Sequence, residues 1–398
     1  PNDTLPPRPR PPVNPETATR AEIVWHFLTH GLFESKFYTL FSLLFGMGFI
    51  ILTDRVQARR SSPTAVAARR FGFLAVLGLM HAHLLWFGDI LFIYACCSVV
   101  LLLVRKCRAR TLVILGASIT AAGEFLILLM TLMGVIFGTG TGARPEAAPA
   151  PIAGQVDSSA AEADGATDSE TDTATGADEA RTTEEPVALR GWAFIRHSFA
   201  SGAGPGEAWK EAETLAYREG PYADLAAFRS VTWAFVVVFV GIGAAPRIVG
   251  IFILGAGMIR SDFFASRRRR LHLALVCVGS LVGVPVALYA AWHQIQTFPH
   301  DGSALPLRYV WLQALHGVGA ILIPLAILSG AALLANRVAS ATQGPGGLLE
   351  RALHPLACTG RMALTNYLFQ TLVGTTLCYF YGFALFGTLD PFEKAMLV

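Results

Sequence analysis

Long apolar runs separated by short arginine-rich or neutral turns set the pattern of this chain. A bilayer-crossing helix needs about 20 predominantly apolar residues. On that measure the sequence predicts eight spans, at 37–53, 71–87, 88–104, 111–137, 231–259, 271–296, 306–334 and 361–387. The second and third form a tight hairpin bent at Gly88, and Pro246 with Arg247 makes the fifth a broken or tilted helix. Ahead of the first span, AEIVWHFLTHGLFESK (21–36) reads as an amphipathic interfacial helix whose Glu34 and Lys36 lead into it. Within the span, Ser42, Gly46 and Gly48 are small enough to let a neighbouring helix approach closely.

The fold class that follows is all-α, a polytopic transmembrane helix bundle. Residues 1–20 are a polar, proline-rich and disordered segment without a visible signal peptide, and 21–142 hold the first four spans. Residues 143–186 form a disordered acidic insert, with eleven acids against two arginines. Residues 187–230 offer extracytoplasmic amphipathic helices around 207–218 and 222–229, joined by the turn at Gly220–Pro221. The second block, 231–398, holds four spans and the start of a further one at AMLV. The turns near Arg59, Arg108, Arg268 and Arg351 all fall on one side of this arrangement, which the positive-inside rule makes cytoplasmic. The insert and the amino terminus are then outside, a topology that leads us to expect a further span before the first and after the last.

Composition sharpens the class. Charged residues are 15% of the chain and hydrophobic ones 53%, where a soluble domain carries about 25% charged residues; the mean hydropathy is +0.50. The net charge of +3 conceals −9 in the insert and +12 elsewhere. Because that excess marks loops between spans, it argues for a lipid bilayer as partner and against nucleic acid. The six cysteines show no metal-ligand spacing and none lies in a predicted extracytoplasmic loop, so neither metal nor disulfides are expected. The chain has no P-loop, dinucleotide fingerprint, HExxH, GxSxG or CxxC.

Ionisable groups inside hydrocarbon are costly, so the few present are the candidate chemistry. His81 and His83 point about 200° apart on a helix and cannot chelate one metal together. Each reads either as a neutral histidine bonded to a neighbour or as a general base. Asp89 caps the third span or orients a histidine. Glu124, midway along the fourth span, pairs with Arg247 or holds a proton, and Arg247 alternatively binds an anionic substrate group. Gln313 and His316 share a helix face suited to an interhelical hydrogen bond. Asn366 and Gln370 form a polar stripe beside Tyr367, above Arg361, which reads as helix–helix glue or as a cavity wall. Arg260 and Asp262 read as a local ion pair.

Four motifs in order, KFYTLFSLLFGMGF (36–49), HAHLLWFGDILFIYA (81–95), FILGAGMIRSDFF (252–264) and TGRMALTNYLFQT (359–371), resemble signatures of the YeiB family of bacterial membrane proteins, domain of unknown function 418. The resemblance implies a multi-pass protein of the bacterial cytoplasmic (inner) membrane and a first helix with an LDxxRGxA-like motif. It also implies distant similarity to transmembrane acyltransferases, which use an intramembrane histidine to move an acyl group from a coenzyme A thioester to an acceptor. On that footing His81 or His83 is the expected base and Asp89 its orienter. Arg361, Asn366 and Gln370 form the expected cytoplasmic entrance for an acyl-CoA donor, with a small-molecule or envelope acceptor. A small-solute transporter with Glu124 and Arg247 at the midplane is the alternative. A non-catalytic partner or sensor is a third reading, and homo-oligomer formation is left open by all three.

Overall fold

The computed structural model describes residues 19–137, 190–201, 207–299, 304–341 and 348–386; the acidic insert and 1–18 of the predicted disordered segment lie outside the described residues, and Thr19 and Arg20 instead begin the first helix. Among the described residues the chain is helical. A capping box between Thr19 and Glu22 starts α1 (Arg20–Leu28). A π-turn over Thr29–Phe33 follows, and Ser35, at φ 62°, redirects the chain into α2 (Lys36–Ala58). The interfacial helix and first span expected from the sequence are therefore one bent unit. Ser62 caps α3 (Pro63–Leu84), with Pro63 at its first position, where a missing N–H costs nothing. The turn through Gly88 leads to α4 (Leu91–Val104). Then come α5 (Ala109–Phe137), α6 (Gly191–Ala200), α7 (Glu207–Glu219) and α8 (Tyr222–Phe235). A π-turn over Val236–Gly241 joins α8 to α9 (Ile242–Arg260), so the interruption precedes Pro246, which α9 accommodates. A third π-turn, Gly279–Gly283, separates α10 (Arg269–Val278) from α11 (Val284–Thr297). The chain continues with α12 (Arg308–Ala341), α13 (Leu348–Arg361) and α14 (Ala363–Cys378).

Six helical stretches are long and apolar enough to cross a membrane: Arg20–Ala58, Pro63–Leu84, Ala109–Phe137, Gly243–Arg260, Ser266–Thr297 and Arg308–Val338. The predicted third and eighth spans correspond to α4 and α14, with 14 and 16 residues. Ring contacts hold α14 near both of its ends. Tyr367, near its start, packs against His81, while Tyr379, just past its end, packs against Tyr217 of α7. Arg229 of α8 links the two contacts, donating to the His83 carbonyl at 3.1 Å and lying over the Tyr379 ring.

At the opposite end the arginine-rich turns gather. Arg260 donates to the Cys107 carbonyl and lies 3.8 Å from Asp54, and Asn336 of α12 reaches the Phe264 carbonyl. The local pair expected between Arg260 and Asp262 is not formed. Asp262 closes α9 at φ 54°, which turns its carboxylate to Arg267 at 2.9 Å and frees Arg260 for its neighbours.

α9 lies at the centre, between α5 and α2. A methyl group at Gly116 or Gly123 of α5 would overlap the α9 backbone, and one at Gly250 or Gly257 of α9 the α5 backbone. Small residues let these helices touch backbone to backbone, which replaces the hydrophobic drive that lipid removes. Gly46 does the same for α2, against the Phe252 carbonyl, whereas Gly48 faces outward with open space beside it. Phe49, Phe71, Tyr94, Leu112 and Phe252 fill the core around the seam.

Gly46→Ala therefore forces the α2 and α9 backbones apart and should cost about 1–3 kcal/mol. Gly48→Ala should change stability by no more than about 0.5 kcal/mol. Chemical unfolding of the two variants in detergent micelles measures the difference.

Candidate functional site

Two polar centres lie inside the bundle. The first is at the α3–α4 hairpin. His81 Nδ1 is 3.1 Å from Asp89 Oδ1, with the two side chains 1% and 0% exposed. The ring N–H does not point along that line, and both ring nitrogens and Oδ1 lack a hydrogen bond. Asp89 Oδ2 accepts the Phe92 N–H at 2.8 Å, which makes the aspartate the N-terminal cap of α4 as well as the neighbour of His81. The Tyr367 ring closes over His81 at 5.1 Å. His83 turns the other way, as the 200° separation requires. Its Nδ1 lies 3.0 Å from Ser230 Oγ and its ring against Trp233. One histidine is thus sealed inward, and the other holds α8.

The second centre draws on five helices. Arg247 of α9 pairs through Nε with Glu124 of α5 and donates through Nη2 to Thr39 Oγ1 of α2 at 3.1 Å. One turn before Thr39 stands Lys36, 1% exposed, whose ammonium donates to the His30 carbonyl at 3.0 Å. The same ammonium lies 3.4 Å from His316 Nε2 of α12. The His316 ring stacks on His30, centroids 4.6 Å apart. His30 in turn places Nδ1 2.5 Å from Glu34 Oε2 and Nε2 2.8 Å from Gln294 Oε1 of α11. Gln294 Nε2 donates to Gln313 Oε1 at 3.1 Å. Arg247 is thus paired and Lys36 hydrogen-bonded, the condition under which buried charge is tolerated.

The hydrogen-bond pattern around His30 admits two assignments. Both His30 nitrogens face acceptor oxygens, which suits the imidazolium. Amide orientation is assigned from the hydrogen-bond network, and flipping Gln294 and Gln313 together keeps every bond while turning a donor toward His30 Nε2. That second arrangement suits neutral His30 with its proton on Nδ1.

Of the residues singled out in the sequence, Glu124, Arg247 and His316 converge here, and His81 and Asp89 meet each other. Arg361, Asn366 and Gln370 are exposed. Asn366 Nδ2 donates to the Thr359 carbonyl, and no described hydrogen bond or ion pair joins the three to His81 or Asp89. Sequence reasoning missed His30, Lys36, Thr39 and Gln294. The only signal was the spacing of His30 and Glu34, which places them one turn apart on a shared face. Among the described residues, no three His, Cys, Asp or Glu side chains group as metal ligands.

The same chain can be set against known proteins. Residues 258–398 match the family model described as "Protein of unknown function (DUF418)". Over 379 residues the chain is 26% identical to the uncharacterized protein YeiB of Escherichia coli (strain K12), covering 94% of this chain and 76% of that protein. The chain is thus similar to YeiB over most of its length and to the DUF418 model over its carboxy-terminal third. Shorter matches join it to the uncharacterized protein YxaH of Bacillus subtilis (strain 168), 38% identical over 86 residues, 22% of this chain and 21% of that one. An uncharacterized 39.9 kDa protein of Bacillus acidopullulyticus is 32% identical over 111 residues, 26% of this chain and 32% of that one. The match to YeiB spans both polar centres, while the DUF418 segment contains Gln294, Gln313 and His316 of the second. No solved structure matches the chain.

Removing one partner of the Arg247–Glu124 pair leaves a lone charge in the bundle. Arg247→Ala should destabilise the protein by about 3 kcal/mol, and the apolar double variant Arg247→Met, Glu124→Leu should recover most of the loss. Chemical unfolding of the three proteins in one detergent checks both parts.

Proposed function

We propose that this integral membrane protein is an acyltransferase-like enzyme, in which His30 and Glu34 form the working histidine–carboxylate pair. The observation that carries the reading is accessibility. A general base must come within hydrogen-bond reach of the proton it removes. The His30 and Glu34 side chains are 23% and 61% exposed, against 1% and 0% for His81 and Asp89. The reaction class fits the groups at hand. Neutral His30, oriented by Glu34, takes the proton of an acceptor hydroxyl at Nε2, where the hydroxyl replaces the Gln294 amide. The oxygen attacks the carbonyl carbon of an acyl thioester such as acyl-CoA, and the C–S bond breaks. The proton passes from His30 to the departing thiolate. Lys36, buried beside His316, donates to the His30 carbonyl and so positions the segment that carries the base. Acceptor candidates are a small hydroxylated molecule or a cell-envelope component. His81 and Asp89 then serve the hairpin rather than the chemistry.

With protein in proteoliposomes, acetyl-CoA and hydroxylated acceptors, thiol release should fall about 100-fold in His30→Ala. In His81→Ala it should fall less than about tenfold, with a lower melting temperature. Full activity of His30→Ala, or an absence of acyl-CoA-dependent thiol release in the parent protein, refutes the assignment.

A second reading draws on a different feature, the run of titratable groups from exposed Glu34 through His30, His316 and Lys36 to Arg247 and Glu124. Such chains carry protons in transporters, and the π-turn at Val236–Gly241 lies just before the Arg247 helix. On this reading a proton gradient drives solute uptake into the same vesicles, and Glu124→Gln abolishes it.

A further inference from the structure

The arginines at the foot of α10 are consecutive in sequence but not in environment. Arg267 donates to Asp262 at 2.9 Å. Arg268 and Arg269, the next two, have no acidic partner among the described residues and line separate grooves on the two sides of α10. The first groove, about 640 Å³, runs between α5, α9 and α10 with Val113, Ile114, Leu254 and Leu271 on its walls, and Arg110 joins Arg268 in lining it. The second, about 790 Å³, runs between α10 and α12 along Leu273, Leu333 and Leu334, where Arg337 joins Arg269. Neither groove has an acidic residue in its lining. Both lie at the end of the bundle where the arginine-rich turns gather, the end that charge patterning assigns to the cytoplasm.

Two guanidinium groups over an apolar wall define the occupant by chemistry. The wall calls for a hydrocarbon chain. The guanidinium pair calls for a phosphate, which arginine binds in a bidentate, charge-assisted fork. Basic pockets between membrane helices on the cytoplasmic side hold anionic headgroups for this reason. A zwitterionic lipid would bring its own ammonium against two arginines, and a free phosphate would leave the apolar wall unused. Each volume falls within the range of about 300–1,000 Å³ usual for a bound small molecule.

We propose that the two grooves flanking α10 each seat an anionic phospholipid, its acyl chain along the apolar wall and its phosphate on the arginine pair. The proposal is independent of the chemistry assigned to His30.

Native mass spectrometry of the full chain, titrated with phosphatidylglycerol or phosphatidylcholine, tests it. Two phosphatidylglycerol molecules should bind at least about tenfold more tightly than phosphatidylcholine. Arg110→Gln with Arg268→Gln should remove one of them, and Arg269→Gln with Arg337→Gln the other, each weakening that site about thirtyfold. Arg69→Gln with Arg70→Gln, a pair of α3 that lines neither groove, should leave both lipids bound. Melting temperatures of the lipid-free variants close to the parent's show that folding is intact. Equal affinity for the two lipids, equal loss in the Arg69/Arg70 variant, or displacement of the lipid by inorganic phosphate would each overturn the proposal, the last by showing a site for the free anion.

Discussion

Arg247 and Glu124 meet where water is scarce, and the backbone contact beside them is what lets them meet. Gly123 precedes Glu124, and a methyl group there would stand 2.5 Å from the Arg247 amide nitrogen. The helices must touch at that level before the two side chains can pair, and the pair in turn fixes the register of the helices. Thr39 extends the same constraint to α2. A charge in low dielectric is tolerated only when its partners are fixed, so the α2, α5 and α9 core is defined as much by this electrostatic demand as by Phe252 and its aromatic neighbours.

The two histidine–carboxylate pairs illustrate how one motif of groups serves different ends. At the hairpin, Asp89 already spends one oxygen on the Phe92 amide, and His81 is shut beneath Tyr367. The bond from the Phe92 amide fixes Asp89 at the start of α4, with His81 packed beside it. Around His30 the pair is open on one side and backed on the other by amides and a second imidazole. The difference lies in what surrounds the groups, not in the groups themselves.

Much of this was legible from residues alone, for physical reasons that differ by element. Glu124 and Arg247 stand out because a lone charge in an apolar run has few solutions in a bilayer. The opposed roles of His81 and His83 follow from helical geometry. The gathering of Asp54, Cys107, Phe264 and Arg260 at one end follows from the charge pattern of the turns. Lys36 was hidden because a lysine at the edge of an apolar run reads as an interfacial anchor. Its burial depends on a π-turn and a left-handed Ser35, neither of which hydropathy reports. α14 is shorter than the apolar run that predicted it, since such a run does not reveal where its helix ends. Asp262 escaped because the backbone at a helix terminus, rather than sequence proximity, chose its partner.

The glycine seam carries one more consequence. Where main chains touch, no side chain is left to yield, so α2, α5 and α9 behave as a single stator that cannot breathe by repacking. The polar network around His30 lies beside that frame, on parts mounted against it, α11 and α12 on one side and the bent segment at His30 on the other. Two of the three π-turns, Thr29–Phe33 and Gly279–Gly283, lie at those mountings. The imidazoles of His30 and His316 thus stack where two mounted parts meet beside one frame.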